Sequence, residues 1–164
     1  IWFGRDLGYL GGRRTGLALT DELHLEAHAQ MIPGLSLDKA TKGPAKPERT
    51  ANMTWEMLKA LKQPVFLWNI FPFHPHEANK PFSNRCHTRA ERELVSGLTK
   101  RVLEILQPSK IIAVGNDASI GLREISVKHV KVRHPSYGGK ADFVSGLERK
   151  YHRVLIESSQ PKLL

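Results

Sequence analysis

Four short stretches, three of them apolar and the last one apolar-basic, are separated by longer and more polar segments and set the pattern of the chain. They cover residues 1–4, 65–71, 110–115 and 129–134, and each ends in Gly or is followed by Pro. An apolar stretch of this length that stops at Gly or Pro is typical of a buried strand. The second stretch, VFLWNIF, is interrupted only by Asn69. The pattern therefore predicts four strands.

Apolar residues at intervals of three or four predict helices between these strands. Residues 54–62 are predicted to be helical from the spacing of Trp55, Leu58 and Leu61, with an end before Pro64. A short helix is predicted after the third strand, to about residue 125, and a closing helix over residues 141–156.

The longest predicted helix covers residues 89–106. Thr88 precedes it and Glu91 follows three residues later, which is the spacing of a capping box. Four apolar residues share one face of it, as in an amphipathic helix: Leu94, Leu98, Val102 and Ile105.

Strands that are apolar almost throughout, separated by helices, predict a parallel sheet covered on both faces. We therefore expect an α/β fold, a three-layer α/β/α sandwich with a central four-stranded parallel sheet. The length of 164 residues, 40% of them apolar, fits a single domain over residues 1–164. The Pro-, Lys- and Gly-rich segment 33–50 is predicted to be a surface loop. In such folds, sites lie beyond the carboxyl ends of the strands.

Composition narrows the functional classes. The net charge of +9 favours a polyanionic partner, nucleic acid first, although a basic solvated surface without a partner stays open. No apolar run of about 18 residues or secretory leader is present, so we expect an intracellular, cytoplasmic protein without a membrane partner. Because the chain starts at Ile1 inside a predicted strand, upstream residues can be missing. Cys86 is the only cysteine, which excludes an internal disulfide and a four-cysteine cage.

Several ordered motifs resemble the uracil-DNA glycosylase superfamily over residues 4 to about 147. They are GRDLG, WNIFPFHP, SNRCHTRAE, IIAVGNDA and VRHPS. The third is similar to the iron-sulfur branch, whereas the first is similar to the branch that carries a catalytic Asp in this motif. Because the iron-sulfur branch needs four cysteines and this chain has one, no cluster is expected. The resemblance implies a monofunctional glycosylase that hydrolyses the N-glycosidic bond of uracil in DNA and leaves an abasic site.

The resemblance assigns catalysis to Asp6 and His134. Asp6 would stabilise the positive charge that develops on the sugar and orient a water, while His134 would donate a hydrogen bond to the departing base. From the residues alone, a carboxylate tied to loop amides and a structural His stay open as alternatives. Arg5, next to Asp6, is a further candidate for substrate binding.

Asn69 is the candidate for reading the base. An unpaired amide in an apolar strand is costly, and a carboxamide offers both the donor and the acceptor that match uracil O4 and N3–H. The alternative is an Asn bonded to neighbouring backbone.

The wall on which the base would stack is less defined. Where the superfamily carries a stacking Phe, this chain has Leu19, so Phe71, Phe73 or Tyr9 is expected to substitute. The Tyr that excludes thymine in the Asp-bearing branch is replaced by Gly8, which leaves discrimination against thymine open.

DNA contacts are expected from loop residues near the rim of the sheet. The candidates are Arg13, Arg14, Arg85, Ser136, Gly138, Gly139 and Lys140. Tyr137 is expected to fill the gap left by the flipped nucleotide. The expected partner is uracil-containing DNA and the expected state a monomer.

No metal or other cofactor is expected. The spacing of HPH, Cys86 and His87 matches no zinc template, and GYLGGRRTG lacks the Lys-Ser/Thr of a P-loop. Two alternative functions stay open: excision of another deaminated or mispaired base, and a catalytically lapsed module that binds DNA or abasic sites.

Overall fold

Four parallel strands form the centre of the protein, in a computed structural model that describes residues 1–156. The strands are β1 (Trp2–Gly4), β2 (Leu67–Asn69), β3 (Ile112–Val114) and β4 (Val130–Val132). Their order in the sheet is β2-β1-β3-β4, with Gly4 opposite Asn69 and Val114 opposite Val132. The predicted α/β sandwich with a four-stranded parallel sheet is confirmed. The last eight residues of the predicted domain, 157–164, lie outside the described residues.

Six α-helices connect and cover the strands within residues 1–156. They are α1 (Gly12–Thr15), α2 (Leu25–Met31), α3 (Arg49–Leu61), α4 (Arg89–Leu106), α5 (Asn116–Glu124) and α6 (Lys140–Tyr151), with a 3-10 turn at Glu22–His24. None of the helices in this part of the chain is long and apolar enough to cross a membrane.

Alternate residues of the strands point to opposite faces of the sheet. Trp2 and Ile112 belong to a core cluster with residues of α3 and α6, including Trp55 and Phe143. The next residues, Phe3 and Ala113, belong to a second cluster on the other face, where α5 contributes Ala118 and Leu122. Both faces of β1 and β3 are therefore buried, which explains why their sequences are apolar throughout.

The ends of several elements differ from the prediction. The strands are shorter than the apolar stretches that contain them, as at Leu67–Asn69 within 65–71. Helix α3 begins at Arg49 because the Glu48 carboxylate accepts hydrogen bonds from the backbone N–H groups of Thr50 and Ala51. Helix α6 ends at Tyr151 because His152 adopts a left-handed conformation, with φ of 51°. The short helices α1 and α2 were not predicted.

Helix α4 has the predicted bounds and capping box, but its shared apolar face does not pack on the core. Thr88 Oγ1 accepts from the Glu91 N–H, and Glu91 Oε2 accepts from the Thr88 N–H. Leu94, Leu98 and Ile105 are exposed, Leu94 by 86%, while Val102 is only half-buried. Thr99 is the residue of α4 that is fully buried. The spacing identified a shared face, but that face lies outward.

Candidate active site

A cleft of about 1050 Å³ lies beyond the carboxyl ends of β1, β3 and β4. The chain runs from β1 to β2 on one side and later returns to β3 on the other side of β1, so the cleft lies where the strand order reverses. Its volume is sufficient for a nucleotide with part of its backbone. The residues that follow the three strands line it: Arg5 and Asp6 after β1, Gly115, Asn116 and Asp117 after β3, and Arg133 to Ser136 after β4. Asp6 and His134 therefore share one cleft.

The Asp6 carboxylate is held through one of its two oxygens. Oδ2 accepts a hydrogen bond from Arg5 Nε at 2.8 Å and lies 3.2 Å from His87 Nδ1. Among residues 1–156, nothing donates to Oδ1. The side chain is only 7% exposed, but Asp6 lines the cleft. Oδ1 is thus the oxygen available to a molecule bound there.

Arg5 lies between two carboxylates. In addition to its bond with Asp6, its Nη1 is 3.4 Å from Asp117 Oδ2 and 3.2 Å from the Cys86 sulfur. Because Asp117 follows β3, Arg5 links the rim residues of two neighbouring strands. Its first effect is to fix Asp6, and any contact with substrate must use its remaining N–H groups.

The tautomer of His134 is fixed by its own loop. The backbone N–H of Ser136 donates to His134 Nδ1 at 3.2 Å, and the Ser136 hydroxyl lies 2.7 Å from the same nitrogen. Because a backbone N–H can only donate, Nδ1 is the acceptor, and the proton of the neutral ring is on Nε2. Within the described chain no group hydrogen-bonds Nε2, so this N–H is free to donate into the cleft.

His134 is kept neutral by its surroundings. Burial lowers the pKa of His134, and the nearby charges of Arg5 and Arg133 lower it further, against the opposing effect of Glu48. The ring packs on Gly115, whose φ is 93° and where an added Cβ would lie 3.1 Å from the His134 Cβ. A side chain at residue 115 would therefore both strain the backbone and displace the imidazole.

Asn69 lies beneath the cleft and does not line it. It is 1% exposed, and neither Nδ2 nor Oδ1 has a hydrogen-bond partner among the described residues. An added Cβ at Gly4 would collide with Asn69 Oδ1 and lie 3.0 Å from Leu19 Cδ2. The absence of a side chain at Gly4 thus leaves the amide next to Leu19, which does line the cleft. Leu19 has a positive φ of 52°, an uncommon conformation for this residue.

The predicted aromatic substitutes for the stacking residue do not line the cleft. Phe71 is buried, with its ring stacked on His87 at a centroid distance of 5.2 Å and in edge contact with Phe73 at 5.6 Å. The Phe71 ring is used for internal packing, while Phe73 is 53% exposed and lies outside the cleft lining, so a stacking role for either residue stays a prediction. Tyr9 does not line the cleft either, whereas Gly8 does, with nothing within 4 Å of an added Cβ.

Two of the arginines predicted to contact DNA are held by internal ion pairs. Arg14 donates to Glu22 at 2.9 Å and to Thr41 at 2.7 Å, and Glu22 is completely buried. Arg85 makes two bonds to Glu91, at 2.8 and 2.5 Å, and the bond from Arg85 is the first cause that lowers the pKa of Glu91 to about 2. Both guanidinium groups therefore have carboxylate partners within the protein, and their contact with DNA stays a prediction. Arg13 lies over the Phe82 ring, outside the cleft lining.

The loop after His134 forms one edge of the cleft. Ser136, Tyr137, Gly138 and Lys140 line it, and Lys140 also pairs with Glu56 at 2.8 Å. Tyr137 is 96% exposed. The backbone N–H of Gly139 donates to the Ser136 carbonyl at 3.1 Å, so it is not free to bind phosphate.

Sequence reasoning missed the group of residues behind Asp6. His87 is buried against Asp6, and Arg92 joins it to Glu124. His87 is 81 positions from Asp6 in the chain, and no spacing in the sequence indicates this contact. Over the described part of the chain, no group of three or more His, Cys, Asp or Glu side chains is arranged to hold a metal ion.

Comparison with known proteins gives no assignment: no family model matches the chain, and no curated protein matches it. Function is therefore inferred from the chemistry of the cleft.

Proposed function

We propose that the protein is a monofunctional uracil-DNA glycosylase, which hydrolyses the bond between uracil and deoxyribose and leaves an abasic site. The observation that carries the proposal is that a carboxylate, Asp6, and a neutral imidazole, His134, line the same nucleotide-sized cleft. Two groups of this kind match the two charges that form when an N-glycosidic bond breaks.

The carboxylate acts on the sugar. As the bond between C1′ and the uracil nitrogen lengthens, positive charge develops on the sugar and negative charge on the base. Asp6 Oδ1, the free oxygen, stabilises the sugar and orients a water whose oxygen forms the new bond to C1′ while its proton passes to the carboxylate and from there to solvent. Arg5 and His87 keep Oδ2 occupied, so the carboxylate has one defined orientation.

The imidazole acts on the base. With Nδ1 accepting from Ser136, His134 presents Nε2–H as a donor to the uracil oxygen on which negative charge develops. A neutral donor stabilises this charge without giving up its proton, so uracil leaves as an anion and is protonated afterwards by solvent. A single preorganised donor of this kind contributes about 10²- to 10³-fold in rate.

Asn69 supports recognition of uracil. Its buried amide has one donor group and one acceptor without partners, which match O4 and N3–H of uracil. Because Leu19 lies next to this amide and lines the cleft whereas Asn69 does not, the flipped base reaches Asn69 when the Leu19 side chain moves aside. Leu19 then provides an apolar contact for the base in place of an aromatic ring.

The loop at residues 136–140 supports binding of DNA. The proposed contacts are the Ser136 hydroxyl, the Gly138 backbone N–H and Lys140 with phosphates, and Tyr137 with the stack from which the nucleotide is flipped. The net charge of +9 adds attraction that does not depend on sequence.

The test is base release from an end-labelled oligonucleotide with one uracil, followed by alkaline cleavage of abasic sites. Asp6→Asn and His134→Ala should each lower the single-turnover rate by about 10²-fold or more, with binding of the oligonucleotide little changed. Matched controls are Asp142→Asn and His152→Ala, at exposed positions outside the cleft.

The same assay separates the alternatives. Oligonucleotides with hypoxanthine or a thymine mispair in place of uracil test whether another base is the substrate. Tight binding of all substrates without release of any base would contradict the enzyme and support a lapsed DNA-binding module. An unchanged rate in either site variant would remove that residue from the mechanism.

A further inference from the structure

His87 lies directly behind the catalytic carboxylate. Its side chain is 2% exposed, with Nδ1 3.2 Å from Asp6 Oδ2 and Nε2 3.1 Å from Arg92 Nη1. His87 does not line the cleft, so it touches Asp6 but cannot touch a bound nucleotide.

The partners of His87 determine where its proton is. The guanidinium of Arg92 can only donate, so Nε2 of His87 must accept. A ring that accepts at Nε2 is neutral, carries its proton on Nδ1 and can therefore donate to Asp6. This tautomer is the opposite of that of His134, whose Nδ1 is the acceptor.

The position of the His87 ring is fixed from two further sides. Phe71 stacks on it at 5.2 Å between ring centroids, with 29° between the planes. Arg92 is itself held by two bonds to Glu124, at 2.7 and 2.8 Å, and the bond from Arg92 is the first cause that lowers the pKa of Glu124. A connected set of side chains thus runs from Glu124 to the carboxylate of Asp6.

We propose that His87 is a positioning residue for the reaction: its Nδ1–H holds Asp6 Oδ2, so that Oδ1 stays aimed into the cleft. This inference rests on the proposed glycosylase function and adds a residue to it. Arg5 holds the same oxygen from the cleft side, and His87 holds it from the protein interior. Without His87 the carboxylate can rotate about Arg5, and the water or sugar meets a less defined charge.

Two substitutions of similar polarity separate the two hydrogen bonds of His87. Asn places an amide N–H near the position of Nδ1 and can still donate to Asp6, whereas Gln places its polar group near Nε2 and can only satisfy Arg92. His87→Gln should lower the single-turnover rate of uracil release by about 10- to 100-fold relative to wild type, while the protein concentration that gives half the maximal rate stays unchanged. His87→Asn should keep most of the wild-type rate. Urea unfolding of both variants measures the structural cost separately.

Equal rates of uracil release by His87→Gln and His87→Asn would overturn the proposal, whether both variants are active or both are impaired. A rate that His87→Gln retains and His87→Asn loses would also overturn it. An independent measurement is the ¹⁵N NMR spectrum of the imidazoles in the wild-type protein at neutral pH. His87 should be protonated on Nδ1 alone, and protonation on Nε2 would refute the hydrogen bond to Asp6. Because this spectrum needs no substrate, it tests the bond even if wild-type protein releases no uracil, which would instead refute the glycosylase function.

Discussion

Replacing Asn69 with Leu should make the free protein more stable and destroy the proposed recognition of uracil. Leu has the same number and branching of side-chain heavy atoms as Asn but no polar atoms. In the structure both amide atoms of Asn69 are buried without partners among the described residues.

The size of the effect follows from the cost of the two orphan atoms. Each buried donor or acceptor without a partner costs roughly 1–3 kcal/mol, part of which is recovered by local adjustment. We therefore expect Asn69→Leu to raise the free energy of unfolding by about 1–3 kcal/mol, which for a chain of this size is a rise in Tm of roughly 2–10 °C. Uracil release should fall by about 10²-fold or more because the base loses its two specific hydrogen bonds.

Urea unfolding and the oligonucleotide assay measure the two effects on the same preparations. The matched control is Thr54→Val, because Thr54 is also fully buried with an unpartnered oxygen but lies on α3, outside the cleft lining. This variant should gain stability while excising uracil at the wild-type rate. A loss of stability in Asn69→Leu, or excision that still prefers uracil to cytosine, would refute the reasoning.

Two further predictions concern the loops. Tyr137→Ala should leave the free energy of unfolding unchanged because the side chain is exposed. It should slow uracil excision about 10-fold more on duplex than on single-stranded DNA, because single-stranded DNA has no base stack to fill. Equal losses on the two substrates would contradict the assigned role. Burial alone would raise the pKa of Glu22, but hydrogen bonds from Arg14, Thr41 and the Lys46 backbone outweigh it and lower the pKa to about 2. The ionised form therefore stabilises the fold above about pH 4.5, and this stabilisation is lost as the pH falls towards 2. Glu22→Gln should cost about 1–3 kcal/mol at pH 7 and progressively less towards pH 3 in urea unfolding, and a difference independent of pH would exclude this explanation.

The sheet could be predicted because β1, β2 and β3 lie in short, nearly uniform apolar stretches and β4 in one that alternates apolar and basic residues. The rim residues followed from the rule for parallel strands. The start of α3 could not be predicted, because its capping residue, Glu48, lies within a segment rich in Pro and Lys, whose composition is typical of a loop. The apolar residues of α4 had a clear spacing, but spacing alone does not say whether a face meets the core or solvent.

For the candidate site, too, the sequence predicts positions along the chain better than it predicts contacts between side chains. Asp6 and His134 could be placed in one cleft because both follow strands. The sequence left open whether Asn69 bonds to neighbouring backbone, and the structure shows both amide atoms without a partner among the described residues. The pairing of side chains across long separations could not be predicted. Phe71 packs on His87 instead of the cleft, and Arg14 binds a buried carboxylate instead of facing solvent.

Each strand of the sheet is only three residues long, so the interior and the rim of the cleft are almost adjacent in the chain. Phe3 is fully buried and lies three residues before Asp6, and Val132 is buried and lies two residues before His134. A small repacking of the interior is therefore transmitted to the reacting groups with little attenuation. Substitutions that disturb the packing around the sheet would then lower the rate of base release, and mutants selected for activity alone would also retain a well-packed sheet.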